Sequence, residues 1–154
     1  MPKPTEFHIV AITAIIFKEG KVLIAKRSPE EIAYPGKWTV PGGKLDVNDY
    51  RRLPKDNLDG WHDVIENTLK REVAEEVAIK VKNIRYLTNS TFIRPDKRPV
   101  LVLPHTCQWA SGKVKLNKDL TDFAWVKRQD IRKYDFIDGA KNEILRAFKS
   151  KLDR

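Results

Sequence analysis

The sequence is poor in several residue types that define particular classes of protein. It contains one cysteine, Cys107, and three histidines in 154 residues, which excludes an internal disulfide and argues against a zinc site. Its longest apolar stretch, Ile9 to Phe17, is interrupted by Thr13 and is shorter than the roughly 20 residues that span a bilayer. The stretch also lacks the cleavage pattern of a signal peptide. We therefore expect a soluble cytoplasmic protein with no membrane partner and with Cys107 packed in a strand.

The composition supplies enough apolar residues for one core and a surplus of positive charge. Hydrophobic residues make up 41% of the chain and aromatic residues 9%, which is typical of one domain, predicted here to span residues 1–154. Thirty Lys and Arg against 21 Asp and Glu give a formal charge of +9, which favours phosphate-bearing partners. Scattered lysines that only maintain solubility would give the same excess. Nucleotides are thus the favoured partners, and nucleic acid is an open but less favoured one.

Short runs rich in β-branched and aromatic residues predict six strands, at residues 7–17, 22–26, 37–40, 82–93, 100–110 and 123–126. Pro104 lies within the fifth run and indicates an edge strand or a bulge, because proline has no N–H to donate. Pro41-Gly42-Gly43 is predicted to form a loop or a tight turn.

Two segments have the spacing of amphipathic helices. The first extends from about Trp61 to Val77, with Asn57 or Asp59 placed to cap it. The second extends from Lys141 to Arg154 and has its apolar residues on one side. Together with the strands, these helices predict an α/β fold in which helices flank a mixed sheet.

Three glutamates lie on the apolar side of the first helix. An advance of roughly 100° per residue places Glu72, Glu75 and Glu76 in the same arc as the apolar residues of the preceding turns. Such acids repel one another, and burial makes their charge costly unless a cation is present. Mg²⁺ prefers these hard oxygen ligands. The helix therefore predicts a magnesium and phosphate site, unless its end emerges into solvent and the acids only pair with Arg71 and Lys70.

A nine-residue motif in this helix resembles the Nudix box. The core of that box is Arg-Glu-aliphatic-x-Glu-Glu-x-Gly-aliphatic, and this chain has Arg71-Glu72-Val73-Ala74-Glu75-Glu76-Val77-Ala78-Ile79. Upstream, Gly36-Lys37-Trp38-Thr39-Val40-Pro41-Gly42-Gly43-Lys44 is similar to the segment that precedes the box. The resemblance covers about residues 7–130. It implies a Nudix-type α/β/α sandwich with a mixed central β-sheet and the activity of a phosphoanhydride hydrolase.

The same resemblance implies a role for each residue of the box. Glu72, Glu75 and Glu76 would be ligands of Mg²⁺, or of Mn²⁺ as a substitute, together with the backbone carbonyl of Gly42. Arg71 would orient the acids by paired hydrogen bonds. The metal would offset charge in the transition state and lower the pKa of bound water. Arg71, Glu75 and Glu76 are accordingly the predicted catalytic residues.

Substrate binding and proton transfer require groups outside the metal site. Arg27 is a candidate for a phosphate contact, and Tyr34 and Trp38 are candidates for stacking on a base, although core packing is the commoner role of such aromatic residues. The general base is left open among four carboxylates, namely Glu75, Glu76, Asp119 and Asp122.

The chain departs from the usual box in two places. In the usual box the first acid follows the glycine loop after five residues, but here an insertion at about residues 46–60 adds 14 residues. Counting back from Arg71 selects Asp63 as that acid. The insertion is predicted to be a loop with at most one helical turn, either solvated or acting as a lid or dimer contact. Ala78 replaces the glycine that often ends this helix, so we expect either a left-handed Ala78, strained by roughly 1 kcal/mol, or a different helix end.

These features predict hydrolysis of a nucleoside triphosphate or a modified nucleotide to a nucleoside monophosphate and pyrophosphate. One alternative is a pyrophosphatase of ADP-ribose or another nucleoside diphosphate sugar. An alternative of a different class is a non-catalytic nucleotide or RNA sensor, although a sensor has no need of three mutually repelling acids. The oligomeric state is left open, with a homodimer as one option.

Overall fold

The computed structural model describes residues 6–152. It has eight strands and two α-helices: β1 (Ile9–Lys18), β2 (Lys21–Arg27), β3 (Trp38–Thr39), β4 (Gly42–Lys44), α1 (Val64–Val77), β5 (Lys80–Tyr86), β6 (Ser90–Ile93), β7 (Pro99–Ser111), β8 (Leu120–Val126) and α2 (Ala140–Leu152). Short 3-10 helices occupy Val47–Asp49 and Arg128–Lys133. The predicted α/β class is confirmed, with a mixed sheet and helices on both faces.

The sheet is built around β1 and β7, which pair in parallel from Ile9 opposite Val100 to Phe17 opposite Gln108. All other pairings of named strands are antiparallel. On its second edge, β1 pairs with β2 only at its C-terminal end and with β4 near its N-terminal end. The edge of β1 is thus shared, and the gap that opens between β1 and β2 admits β4.

Alternate residues of β1 enter two separate cores. Ile12, Ala14 and Ile16 face α1, where they pack with its buried residues Leu69, Val73 and Val77. Ile15 and Phe17 face α2, where they pack with Ile144, Ala147 and Phe148. Each of these isoleucine, leucine, valine or phenylalanine side chains stabilises the fold by roughly 1.5–3 kcal/mol when fully buried. Burial on both faces explains why β1 has a continuous apolar sequence rather than an alternating one.

The strand predictions are corrected in three places. Residues 82–93 form two strands, β5 and β6, rather than one. Gly42 and Gly43 are not in a loop but in β4, because β1 supplies their strand partners. Pro104 lies in a central strand, at the junction between the parts of β7 that pair with β6 and with β5. Its missing N–H is tolerated there because the partner edge is interrupted.

The first predicted helix is correct at its C-terminal end, Val77, and the second is correct to within one residue at its start. Helix α1 begins at Val64 rather than at Trp61, and its N-terminal flanking residue is Asp63 rather than Asn57 or Asp59. Trp61 instead packs on Tyr50, with ring centroids 5.0 Å apart. Helix α2 begins at residue 140, and the predicted last residues 153 and 154 lie outside the described range. Neither helix is long and apolar enough to cross a membrane, within residues 6–152.

Helix α1 ends in a left-handed residue that is not glycine. Ala78 has φ 61° and ψ 27°, and its N–H donates to the carbonyl of Ala74. This is the conformation for which the sequence comparison with the Nudix box predicted strain. The helix reverses there so that β5 can begin at Lys80 and pair with β7.

Replacing Ala78 with glycine should therefore stabilise the protein by about 1 kcal/mol, because glycine adopts the left-handed region without steric cost. The matched control is Ala74→Gly, at an exposed position inside α1, which should destabilise by about 0.5–1 kcal/mol. Urea unfolding of the wild type and both variants measures these two changes in the free energy of unfolding. Destabilisation by Ala78→Gly would contradict the claim that the left-handed conformation strains Ala78.

Candidate active site

The glycine pair of β4 lies directly against two glutamates of α1. A Cβ atom built on Gly43 would lie 2.0 Å from the carboxyl carbon of Glu72, so no residue with a side chain fits there without displacing that glutamate. The N–H of Gly42 donates to Oε1 of Glu76 over 2.7 Å. The strand and the helix thus approach closely because the strand has no side chains at this point.

The carbonyl of Gly42 is not used in the pairing of β4 with β1. Gly42 lies opposite Thr13 of β1, and the backbone bonds from Ala14 to Pro41 and from Leu45 to Val10 are on either side of it. In an antiparallel pair the N–H and C=O groups of alternate residues point away from the partner strand. Gly42 therefore directs both groups away from β1, and its N–H donates to Glu76 on that side.

Arg71 holds three carboxylates at the mouth of this site. Its Nη1 is 3.0 Å from Oε1 of Glu72 and 3.0 Å from Oε2 of Glu75. Its Nη2 donates to Oδ2 of Asp49 over 3.0 Å, and its Nε pairs with the other oxygen of the same carboxylate. The guanidinium therefore binds Asp49 through two nitrogen atoms and positions Glu72 and Glu75 from one side.

Asp49 is the residue that sequence reasoning missed. Its side chain is 6% exposed, and it accepts a further hydrogen bond from the hydroxyl of Thr68 over 3.0 Å. A capping box with Asp46 fixes the turn that carries it. Asp63, the acid predicted from the count back from Arg71, is exposed and makes no side-chain capping bond. Five residues separate Gly43 from Asp49, so the count forward from the glycine would have found it.

Burial and neighbouring charges shift the pKa values of these carboxyl groups in different directions. Burial raises the pKa of Glu76 to about 8; Glu72 and Asp119 add to the shift, and the N–H of Gly42 and Arg27 oppose it. Burial also raises the pKa of Glu72, against the effect of Arg71. For Asp49, burial acts to raise the pKa, but hydrogen bonds from Arg71, Asp46 and Thr68 outweigh it and lower the pKa. The helix thus holds two carboxylates whose negative charge is incompletely compensated.

The predicted metal ligands occupy one open cleft of about 560 Å³, lined by Gly42, Glu72, Glu75 and Glu76. Glu75 is the most exposed of the three acids, with 57% of its side chain accessible. In the described part of the chain, no three His, Cys, Asp or Glu side chains are already grouped as metal ligands. The reason is that Arg71 holds Glu72 and Glu75 on its own side, whereas Glu76 is bound to β4.

Of the candidates outside the box, the structure brings Arg27 and Asp119 to the cleft. Arg27 donates through Nε to the carbonyl of Ala33 over 2.9 Å and through Nη2 to Glu31 over 3.2 Å. Asp122 is exposed on β8 and does not line the cleft. Among the two candidate bases of this segment, only Asp119 is therefore placed to reach a bound substrate.

The two predicted stacking residues have different surroundings. Tyr34 lines a cavity that adjoins the cleft, and its ring centroid is 5.8 Å from that of Phe92. Trp38 instead packs edge-on against Tyr134 at 4.9 Å and belongs to the core under α2. The stacking role predicted for Trp38 is thus not supported, because its indole ring is used in core packing.

Comparison with known proteins assigns the chain to a family. The family model of the NUDIX domain matches residues 7–148. The chain belongs to the NUDIX domain family. The predicted Nudix hydrolase assignment is thereby confirmed, and the cleft between β4 and α1 contains the box residues of this Nudix hydrolase.

Individual relatives agree with this assignment. The nucleoside triphosphatase NudI of Escherichia fergusonii is 26% identical over 134 residues, covering 80% of this chain and 85% of that protein. NudI of Escherichia coli is 25% identical over 146 residues, covering 88% and 92%.

Solved structures share the Nudix fold at lower identity. The NUDIX domain of Shewanella oneidensis NrtR, complexed with ADP-ribose, has a TM-score of 0.72 at 19% identity and covers 98% of this chain and 94% of that one. The MutT protein of Methanosarcina mazei has a TM-score of 0.69 at 21% identity and covers 96% of both chains.

Because Asp49 pairs with Arg71, we expect Asp49 to contribute more than Asp63 to the free energy of unfolding. Asp49→Asn should lower the free energy of unfolding by about 1–2 kcal/mol at neutral pH, since a charge-assisted bond in a buried setting is weakened. Asp63→Asn should change it by less than about 0.5 kcal/mol.

The pH dependence of this pair has a defined sign. The lowered pKa of Asp49 stabilises the folded state above its ordinary value of 3.8, and this contribution is lost as the pH falls. The difference between the wild type and Asp49→Asn should therefore shrink in acid, as measured by urea unfolding from pH 3 to 7. Equal stabilities of the Asp49 and Asp63 variants at pH 7 would contradict the assignment.

Proposed function

We propose that this Nudix hydrolase uses Mg²⁺ to hydrolyse a phosphoanhydride bond in a nucleoside triphosphate or a modified nucleotide, giving a nucleoside monophosphate and pyrophosphate. The observation that carries the proposal is the contact of two partly buried glutamates, Glu72 and Glu76, with the glycine pair of β4 at the end of an open cleft. The relatives named nucleoside triphosphatase support the choice of substrate class.

The residues at this point fit a divalent cation. Glu72 and Glu76 have raised pKa values because burial leaves their charge poorly solvated, and a cation would compensate that charge. Carboxylate oxygens and the carbonyl of Gly42 are hard donors of the kind that Mg²⁺ prefers. Glu72, Glu76 and Gly42 would hold the ion, with Glu75 as a further ligand from the exposed side. When bound, the ion would offset phosphate charge and lower the pKa of water.

The protein's own groups would orient the substrate and accept the proton. Arg71 keeps Glu72 and Glu75 in place through its guanidinium group. Arg27 lines the cleft next to Glu76 and would contact a phosphate, which is the role predicted for it. Asp119 lines the same cleft and is the carboxylate that we propose as acceptor of the proton from the attacking water.

Assays with purified protein test this activity. Nucleoside and deoxynucleoside triphosphates and ADP-ribose are incubated with Mg²⁺ or with EDTA, and products are separated by ion-exchange chromatography. We expect monophosphate and pyrophosphate from triphosphates, and Glu72→Gln and Glu76→Gln should lower kcat by roughly 100-fold or more, because each removes transition-state charge stabilisation.

The control is Glu66→Gln, on the same helix but outside the cleft, which should retain its activity. Cleavage of ADP-ribose alone would instead support the second candidate, which the structural likeness to an ADP-ribose complex favours. Binding of nucleotides without turnover of any of them would indicate a sensor and overturn the proposal.

The same site predicts a pH-dependent stability that Mg²⁺ removes. The folded protein keeps Glu76 protonated up to a pKa of about 8, whereas an unfolded glutamate ionises near 4.5. Stability of the protein in EDTA should therefore decline as the pH rises from about 5 through 8. Thermal melting at pH 9 should show that Mg²⁺ stabilises the wild type and Glu66→Gln but not Glu76→Gln. An equal effect of Mg²⁺ on all three would argue against Glu76 as a ligand.

Four features stay predictions. They are the cytoplasmic location, the single domain over residues 1–154, the homodimer, and the role of the insertion at 46–60. In the structure, Trp61, which directly follows that insertion, donates through Nε1 to the carbonyl of Leu53 within it over 2.8 Å.

A further inference from the structure

A second cavity continues from the acidic cleft and differs from it in character. It has a volume of about 270 Å³ and shares Arg27, Gly42, Gly43 and Glu76 with the cleft. Its walls are mainly apolar and aromatic, including Tyr34, Val40, Phe92, Val100, Val102 and Ile137. A substrate with its phosphates at the acids would therefore extend its remaining part into an apolar space.

Two polar atoms of residues that line this cavity are buried without a hydrogen-bond partner in residues 6–152. They are Nε of Arg94 and Oγ1 of Thr13. Arg94 has only 9% of its side chain exposed, and its Nη2 is held by Oδ2 of Asp96 at 3.0 Å. Unpaired buried polar groups are uncommon and costly, and each one requires an explanation. A ligand that pairs with them would provide one.

The chemistry of these atoms limits the ligand. Arginine only donates hydrogen bonds, so its partner must be an acceptor. Arg94 already has an ion-pair partner in Asp96, which it shares with Arg98, and the apolar walls favour a flat ring over a phosphate or a sugar. The aromatic pair of Tyr34 and Phe92 offers a surface for such a ring. These properties describe a nucleobase that presents an acceptor to Arg94, and we take that acceptor to be the oxo group that guanine, hypoxanthine, uracil and thymine carry where adenine and cytosine carry an amino group.

We propose that Arg94 is a specificity residue that selects nucleotides with a keto base, such as guanine, hypoxanthine, uracil or thymine, over adenine. The inference rests on the proposed function in that it assigns the phosphates of the same substrate to the acidic cleft. Thr13 lies beside the base and contributes its hydroxyl as a second contact. The turn that carries Arg94 is closed by hydrogen bonds between Arg94 and Arg98, at 3.0 Å, and between Lys97 and Arg94, at 2.9 Å.

Hypoxanthine and adenine nucleotides form a matched pair for the test, since their bases differ only in a 6-oxo against a 6-amino group and in the protonation of N1. Calorimetry without metal should show that inosine monophosphate binds about tenfold more tightly than AMP, as expected for one correct donor and acceptor pair. The kcat/KM ratio of inosine triphosphate to ATP, measured with Mg²⁺, should show the same preference.

Arg94→Met should bring both ratios close to one. Asp96→Asn is the control, because it alters the ion partner of Arg94 but leaves the guanidinium in place, and it should keep the preference. Asp96 retains Arg98 as a partner at 3.2 Å, so Arg94→Met is expected to fold. If its thermal melting shows otherwise, Arg94→Lys gives the same comparison, since it keeps a charge for Asp96 without a guanidinium Nε.

The possible results of these experiments distinguish a failure of base selection from a failure of the proposed hydrolase activity. Hydrolysis of triphosphates with equal kcat/KM for the inosine and adenosine forms would overturn base selection and leave the hydrolase intact. A preference that survives Arg94→Met in a folded protein would also overturn it. Tighter binding of inosine monophosphate, lost in Arg94→Met, would support base selection even if no triphosphate were hydrolysed, and that failure would count against the proposed activity alone.

Discussion

The guanidinium group of Arg71 is the contact on which the site depends. It pairs with Asp49 on a turn and with Glu72 and Glu75 on α1. One cation therefore organises three carboxylates from two segments. Burial acts to lower the pKa of Arg71, but the hydrogen bond to Asp49 and the three acidic charges outweigh it and raise the pKa. Because arginine stays charged at all relevant pH values, the acids are held in one arrangement before any substrate binds.

The second constraint is the absence of side chains at Gly42 and Gly43 of β4. Glycine is unfavourable inside a strand because it loses more backbone entropy than other residues, yet two glycines are needed here. A Cβ on Gly42 would lie 2.4 Å from the carbonyl oxygen of Ile12, and one on Gly43 would overlap Glu72. The pairing of β4 with β1 offsets the entropic cost, and it holds the strand within the sheet at the point where Gly42 meets Glu76 of α1.

The cleft and its adjoining cavity are suited to different parts of a substrate because their walls differ in chemistry. The cleft presents charged groups that suit a cation and phosphates, whereas the cavity presents apolar and aromatic walls with a few buried donors. The insertion after Asp49 alters neither part. Its aromatic pair, Tyr50 and Trp61, and its internal hydrogen bonds make it largely self-contained, and a longer surface loop costs little additional closure entropy.

Local sequence patterns alone predicted the two helices, the apolar strand β1 and the acidic stripe on α1, because each depends on a spacing of a few residues, whereas the left-handed end at Ala78 was inferred from the resemblance to the Nudix box. Tertiary structure decided the rest. The approach of Asp49 to Arg71 across 22 residues, the pairing that makes Gly42 and Gly43 a strand, and the packing of Trp38 away from the cleft depend on contacts between distant segments. No local periodicity encodes such contacts, since they are set by how the sheet divides between β1 and β2.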